Sequence, residues 1–136
     1  MASYRVRGDK IRKTVILDSS ALLMVFEFSI DLEQELSRLL EGHHCVVPSA
    51  VVKELHFLAE HGPSPKKRKA AASLKLLKRY DIIKTASLKA DDAVIEAAKK
   101  TKGVVLTNDT ELRKRLQHDS IPIVFLRGKK KLALEE

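Results

Sequence analysis

Short apolar runs alternate along this chain with longer stretches of helical periodicity. Runs at 14–18 (TVILD), 45–47, 81–85, 104–107 and 121–126 read as strands, because apolar residues cluster there between turn formers. Between them, 21–28, 31–41, the stretch after Ser49, 66–80, 91–102 and 110–118 read as helices. The helix at 31–41 carries apolar residues at 32, 36, 39 and 40, and Gly42 closes it. Pro48 stops the second strand, Ser49 is placed to cap the helix that follows, and Gly62 ends that helix. Strands separated in this way by helices pair in parallel, with helices covering both faces. The expected fold is α/β: a three-layer α/β/α sandwich around a mainly parallel sheet of roughly five strands. One domain is expected over 13–127, with a basic extension at 1–12 and a flexible, mixed-charge tail at 128–136.

Composition narrows the functional classes. The single cysteine, Cys45, excludes an internal disulfide and Cys-rich metal sites, and fits a reducing compartment. We read it as a buried, inert thiol. No apolar run approaches the roughly 20 residues of a membrane span, and no signal-peptide core follows the basic start, so a cytoplasmic protein without membrane attachment is expected. The net charge of +8 is uneven. Residues 1–60 hold 7 Lys/Arg against 9 Asp/Glu, whereas 61–136 hold 19 against 9. A basic half beside an acidic one points to a polyanionic partner, nucleic acid first.

In a parallel sheet, sites lie outside the carboxyl ends of the strands. Asp18 and Asp109 follow directly on strands. Asp91 and Asp92 open the helix after the third strand, and Glu54 lies early in the helix after the second. Each acid also has a plainer reading. Asp109 or Asn108 can cap the last helix, and Asn108 with Glu111 forms a capping-box variant. Asp91 and Asp92 suit a helix N-terminus through the dipole, and Glu54 suits a solvated helix face. Asp18 is least explained by capping, since Ser19 or Ser20 can serve there. Carboxylates gathered at one sheet edge repel one another, and hard oxygen donors of this kind fit Mg²⁺ or Mn²⁺. The histidines His43, His44, His56, His61 and His118 show no metal-ligand spacing, and 43–45 reads as the start of a strand.

The segments ILDSSAL, VVPSAVVKEL, ADDAVIEAA, and VVLTNDTELRKRL with IPIVFLR after it resemble, in order and spacing, a PIN domain. The resemblance runs from about residue 13 to 127. The stretches DLEQELSRLL and VVPSAVVKELHFLAE look closest in form to archaeal PIN proteins related to small-subunit ribosomal RNA processing nucleases. VapC-type toxin ribonucleases are more distant kin. The resemblance implies a metal-dependent endoribonuclease with one or two Mg²⁺ or Mn²⁺ held by Asp18, Glu54, Asp92 and Asp109. The family pattern selects Asp92 over Asp91, which helical geometry alone leaves open, and Asp91 is assigned a supporting role. Thr107 and Asn108 match a polar pair that orients the last acid. Ser19 and Ser20 replace the Thr-Asn of many relatives, and their hydroxyls can still support a ligand.

The mechanism implied is hydrolysis of RNA phosphodiesters, the cation lowering the pKa of an attacking water. Lys66, Lys67, Arg68, Lys69, Arg113 and Arg115 can follow a phosphate backbone. Few aromatic residues are present to stack bases, so no sequence preference is legible. The expected partner is RNA, single-stranded or a ribosomal RNA precursor. The role is ribosomal RNA processing or a toxin-type ribonuclease, with an antitoxin or ribosome-assembly partner. The helices at 21–28 and 31–40 offer a homodimer contact. The alternative is a catalytically silent PIN-like module for RNA binding or assembly. Phosphotransfer folds fit poorly. A receiver domain needs an acidic pair after the first strand, and a haloacid-dehalogenase-type phosphatase needs an acid where Ser20 stands.

Overall fold

The computed structural model describes residues 12–136. The basic extension expected at 1–12 therefore lies outside the described residues, apart from Arg12. In chain order the elements are β1 (Lys13–Leu17), α1 (Ser19–Phe28), α2 (Leu32–Leu39), β2 (His43–Pro48), α3 (Ser49–His61) and α4 (Ser64–Leu76). A short 3₁₀ turn (Leu77–Arg79) leads to β3 (Asp81–Ile83), α5 (Ala90–Thr101), β4 (Val104–Leu106), α6 (Thr110–His118), β5 (Ile123–Arg127) and β6 (Lys131–Glu135). The alternation of strand and helix yields the expected α/β sandwich.

The sheet has six strands in the order β3-β2-β1-β4-β5-β6. The first five run parallel, and β6 returns antiparallel to β5. β1 pairs with β2 on one side and β4 on the other. Chain order reverses there, and the connections leaving these strands diverge, which opens a crevice at their carboxyl ends. Val15, Ile16, Leu17, Val105 and Leu106 are fully buried. The central strands are thus apolar on both faces, as a sheet covered by helices requires.

The helix–strand connections show why local sequence was a good guide in most places. Gly103 ends the turn after α5, and a Cβ there would lie 2.5 Å from the Thr14 carbonyl oxygen. Only glycine lets α5 pass so closely over β1. In three places the structure departs from the expectation. Ser49 is the first residue of α3 rather than its cap; Pro48 holds the cap position with no side-chain bond. The expected helix at 66–80 starts earlier, with Pro65 in its first turn, and tightens to a 3₁₀ turn after Leu76. The third strand is short and lies at the sheet edge, with Ile82 exposed.

The tail expected to be loose instead folds as β6. Gly128, at φ 74°, turns the chain, and Leu126 then faces Leu132 in the ladder. Leu132 is only 2% exposed. Its backbone is clamped by α2: its N–H donates to Glu35 (2.8 Å), and its carbonyl accepts from Arg38 (2.6 Å). Among the described residues no helix is long and apolar enough to cross a membrane.

Candidate active site

β1 delivers Asp18 to the crevice. Its backbone is extended (φ −94°, ψ 179°), and it serves as the N-cap of α1. One carboxylate oxygen accepts from the Ala21 N–H (2.8 Å) and the Ser20 hydroxyl (2.8 Å). The other accepts from the Thr107 hydroxyl. Asp18, rather than Ser19 or Ser20, therefore caps this helix, while Ser19 is its first residue. The residue is nonetheless only 5% exposed, unusual for a carboxylate with no cationic partner among the described residues. Burial pushes its pKa up to about 6. The bonds from Thr107, Ala21 and Ser20 oppose that rise, and the charge of Asp109 adds to it.

β4 supplies the facing wall. Thr107 is fully buried. Its hydroxyl donates to Asp18 and accepts from the Asp109 N–H (3.0 Å). Ser20 closes the network, accepting from the Asn108 N–H (3.0 Å) while donating to Asp18. Two strand ends are thereby joined through hydroxyls with little freedom to turn elsewhere. Asp109 caps α6, one oxygen accepting from Glu111 N–H (2.9 Å) and Leu112 N–H (3.1 Å). Asn108 does not take that role. Its oxygen accepts from Leu126 N–H (2.9 Å), and its amide points at the Met24 sulfur (3.0 Å). Asn108 thus ties the end of β4 to β5 and α1. Capping does not exclude a second use of Asp109, whose charge reaches both Asp18 and Asp91.

The remaining acids come from helices. Glu54 is exposed on α3, and Asp91 and Asp92 stand in the first turn of α5. The two adjacent aspartates part company. Asp91 is half-buried, and its pKa is raised, first by burial and then by the charges of Asp109 and Glu54. Asp92 accepts a bond from Arg115 of α6 (2.7 Å). The charges of Asp109 and Glu54 thus act on Asp91, while Asp92 meets a cation. Neighbouring residues on a helix lie about 100° apart, so the two cannot share one direction. No spacing in the sequence shows which of them turns inward.

The expected phosphate contacts also divide. Lys66, Lys67 and Arg68 are exposed on α4. Lys69 is 4.0 Å from Glu27. Arg113 is committed to β6 and β5, donating to Glu135 (2.9 Å) and lying 4.0 Å over the Phe125 ring. Arg115 sits at the crevice, where it lowers the pKa of Asp91 against the acids around it.

Asp18, Asp91, Asp109 and Glu54 offer only oxygen donors, backed by the hydroxyls of Ser20 and Thr107. Donors of this kind suit a hard divalent cation, though no three of these acids bring ligand oxygens within 4.8 Å of one another.

Comparison with known proteins places this geometry. The family described as a PIN-like domain matches residues 15–129. Ribonuclease VapC4 of Methanocaldococcus jannaschii is 31% identical over 120 residues, covering 85% of this chain and 92% of that protein. Ribonuclease VapC9 of Archaeoglobus fulgidus is 30% identical over 135 residues, covering 99% and 98%. The solved structure of the PIN domain endonuclease Utp24 superposes with a TM-score of 0.74 at 25% identity, over 90% of each chain. A domain of a functionally unknown Methanocaldococcus jannaschii protein shares the fold, with a TM-score of 0.63 at 20% identity, over 91% and 95%.

Proposed function

This chain belongs to the PIN-like domain family, and we propose that it is a divalent-metal-dependent endoribonuclease acting at the crevice between β1 and β4. The observation that carries the proposal is the buried carboxylate of Asp18, held by three donors beside the charge of Asp109, which together with Glu54 also acts on Asp91. The long, near-complete similarity to two archaeal ribonucleases supports RNA as the substrate.

In this reading Asp18, Asp91, Asp109 and Glu54 hold Mg²⁺ or Mn²⁺. Such a cation, when bound, would supply electrophilic assistance to the phosphate and lower the pKa of the attacking water. The chain's own contribution is placement. Thr107 and Ser20 keep both oxygens of Asp18 in one orientation, so little reorganisation is needed during reaction. Asp109 is fixed by the amides it caps. Arg115, bonded to Asp92, puts a guanidinium beside the carboxylates, where it can meet a phosphate oxygen. The exposed Lys66, Lys67 and Arg68 hold the RNA strand beyond the crevice. The role then lies in toxin-type cleavage or ribosomal RNA maturation, with an antitoxin or assembly partner accordingly.

Cleavage of a labelled RNA with Mg²⁺ or Mn²⁺ tests this. Asp18→Asn and Asp91→Asn should each lower the rate by about 100-fold or more, whereas Asp92→Asn should cost about 10–100-fold, the range expected of a supporting residue. Circular dichroism should show all three folded. Undiminished cleavage by folded Asp18→Asn would sink the catalytic assignment. A larger loss in Asp92→Asn than in Asp91→Asn would exchange the roles of those two.

A further inference from the structure

Away from the crevice, Glu33, His43 and Cys45 each bring one ligand atom within 4.8 Å of the others. Strand geometry places two of them. Residues two apart on β2 share a face, so His43 and Cys45 point the same way. The third comes from the first turn of α2, whose start is set by the Asp31 cap. The His43 Nε2 atom lies 2.8 Å from a Glu33 oxygen. Accessibility rises across the group: Cys45 is 5% exposed, the His43 side chain 9% and the Glu33 side chain 57%.

The group is separate from the carboxylate crevice. His43 opens β2 and Pro48 closes it, which puts about 10 Å of strand between Cys45, the nearest member of this group on β2, and the carboxyl end of the strand. A pocket of about 210 Å³ lined by Asp31, Glu33 and Tyr80 opens beside it. Tyr80 senses both Cys45 and Glu33; burial and then those two groups push its phenol up to about 12.

An ion pair explains the approach of His43 to Glu33 but not the thiol beside them. Burial and the Glu33 charge push the Cys45 thiol up to about 12, so without a cation it remains protonated near neutral pH. The donors are one sulfur, one imidazole nitrogen and one carboxylate oxygen. That mixture is ill matched to Mg²⁺ and well matched to a borderline-soft ion of tetrahedral preference.

We propose that Glu33, His43 and Cys45 form a second metal site, selective for Zn²⁺-like ions, reached from the pocket through Glu33. The site goes beyond the nuclease reading and does not depend on it. On binding, the sulfur–metal bond replaces the S–H bond, and the proton passes to solvent. Affinity therefore rises with pH. The ion ties α2 to β2 and stabilises the fold in proportion to its occupancy.

The test is titration of the full-length protein with Co²⁺, with Mg²⁺ in large excess to compete at the hard-donor crevice. A thiolate-to-cobalt charge-transfer absorption should grow in, saturate at a single equivalent and be displaced by Zn²⁺. Cys45→Ala should abolish it. Glu33→Gln, a change at an exposed side chain that leaves the core intact, should weaken binding by about tenfold or more. The folded Asp18→Asn/Asp109→Asn variant should keep the absorption unchanged. No thiolate band in the wild type would overturn the site. Unchanged affinity in Glu33→Gln, or loss of the band in the folded crevice variant, would overturn it equally.

Discussion

Asp18 shows how one side chain can cost stability to prepare a site. Its pKa is raised to about 6 from an ordinary value of 3.8, chiefly by burial. The folded state therefore binds the proton more tightly than the unfolded chain does. Below the ordinary value both states are protonated, and Asp18 has no effect on pH dependence. Between the two values stability falls as pH rises, and above about 6 the full penalty is present. That penalty is on the order of 3 kcal/mol, at 1.36 kcal/mol per pKa unit. Asp18→Asn removes the charge and keeps an oxygen to cap α1, at the expense of the Thr107 contact. Thermal denaturation without divalent cations should find the variant more stable than wild type at pH 8, by about 1–2 kcal/mol once one hydrogen bond is deducted. The advantage should vanish near pH 4. Equal stability at both pH values would mean that Asp18 is well solvated or otherwise compensated.

At the level of elements, β6 is where sequence reading and structure part most clearly. The stretch KLALE alternates apolar and charged residues only briefly, and the lysines before it read as a solvated tail. Its strand character rests on partners far along the chain: Glu35 and Arg38 of α2 clamp Leu132, and Arg113 and Gln117 of α6 both bond Glu135. Those contacts are invisible to a local window. Truncation after Arg127 should therefore destabilise the whole domain, because it exposes the edge of β5 and removes the buried Leu132 side chain. A loss of about 2–4 kcal/mol is expected from a large-to-nothing core deletion of that kind. Urea denaturation measures it, and an unchanged midpoint would return these residues to the status of a tail. In contrast, α1, α2 and α6 were legible as helices because their apolar spacing is a local property, although the choice of cap at α1 and α6 was not.

The charge asymmetry belongs to the whole molecule. Lys66, Lys67 and Arg68 stand exposed together on α4, whereas Arg113 is taken up internally. Net charge alone thus overstates the cations available to RNA. Replacing Lys66, Lys67 and Arg68 by Ala should weaken binding of single-stranded RNA. The log–log dependence on salt should also become shallower, by about 2 if all three meet phosphates. Replacing Arg113 should leave that slope unchanged. An equal slope in the triple variant would move the RNA path off α4.

By itself, the sequence determined the class of fold and the chemistry available at its sheet edge. Buried strands alternating with amphipathic helices admit few arrangements, and acids at successive strand ends point to one crevice in any of them. What the tertiary structure decided were the directions of side chains and the identity of partners. It set Asp91 within the charge of Asp109 and Glu54 and gave Asp92 a bond from Arg115. It set Asp109 as the cap and Asn108 as the tie to β5, a choice the sequence left open. It also brought Glu33 to His43 and Cys45. Periodicity specifies which face of an element is apolar. Which of two adjacent polar groups points inward depends on charges and donors supplied by distant segments, and these meet only once the sheet has formed.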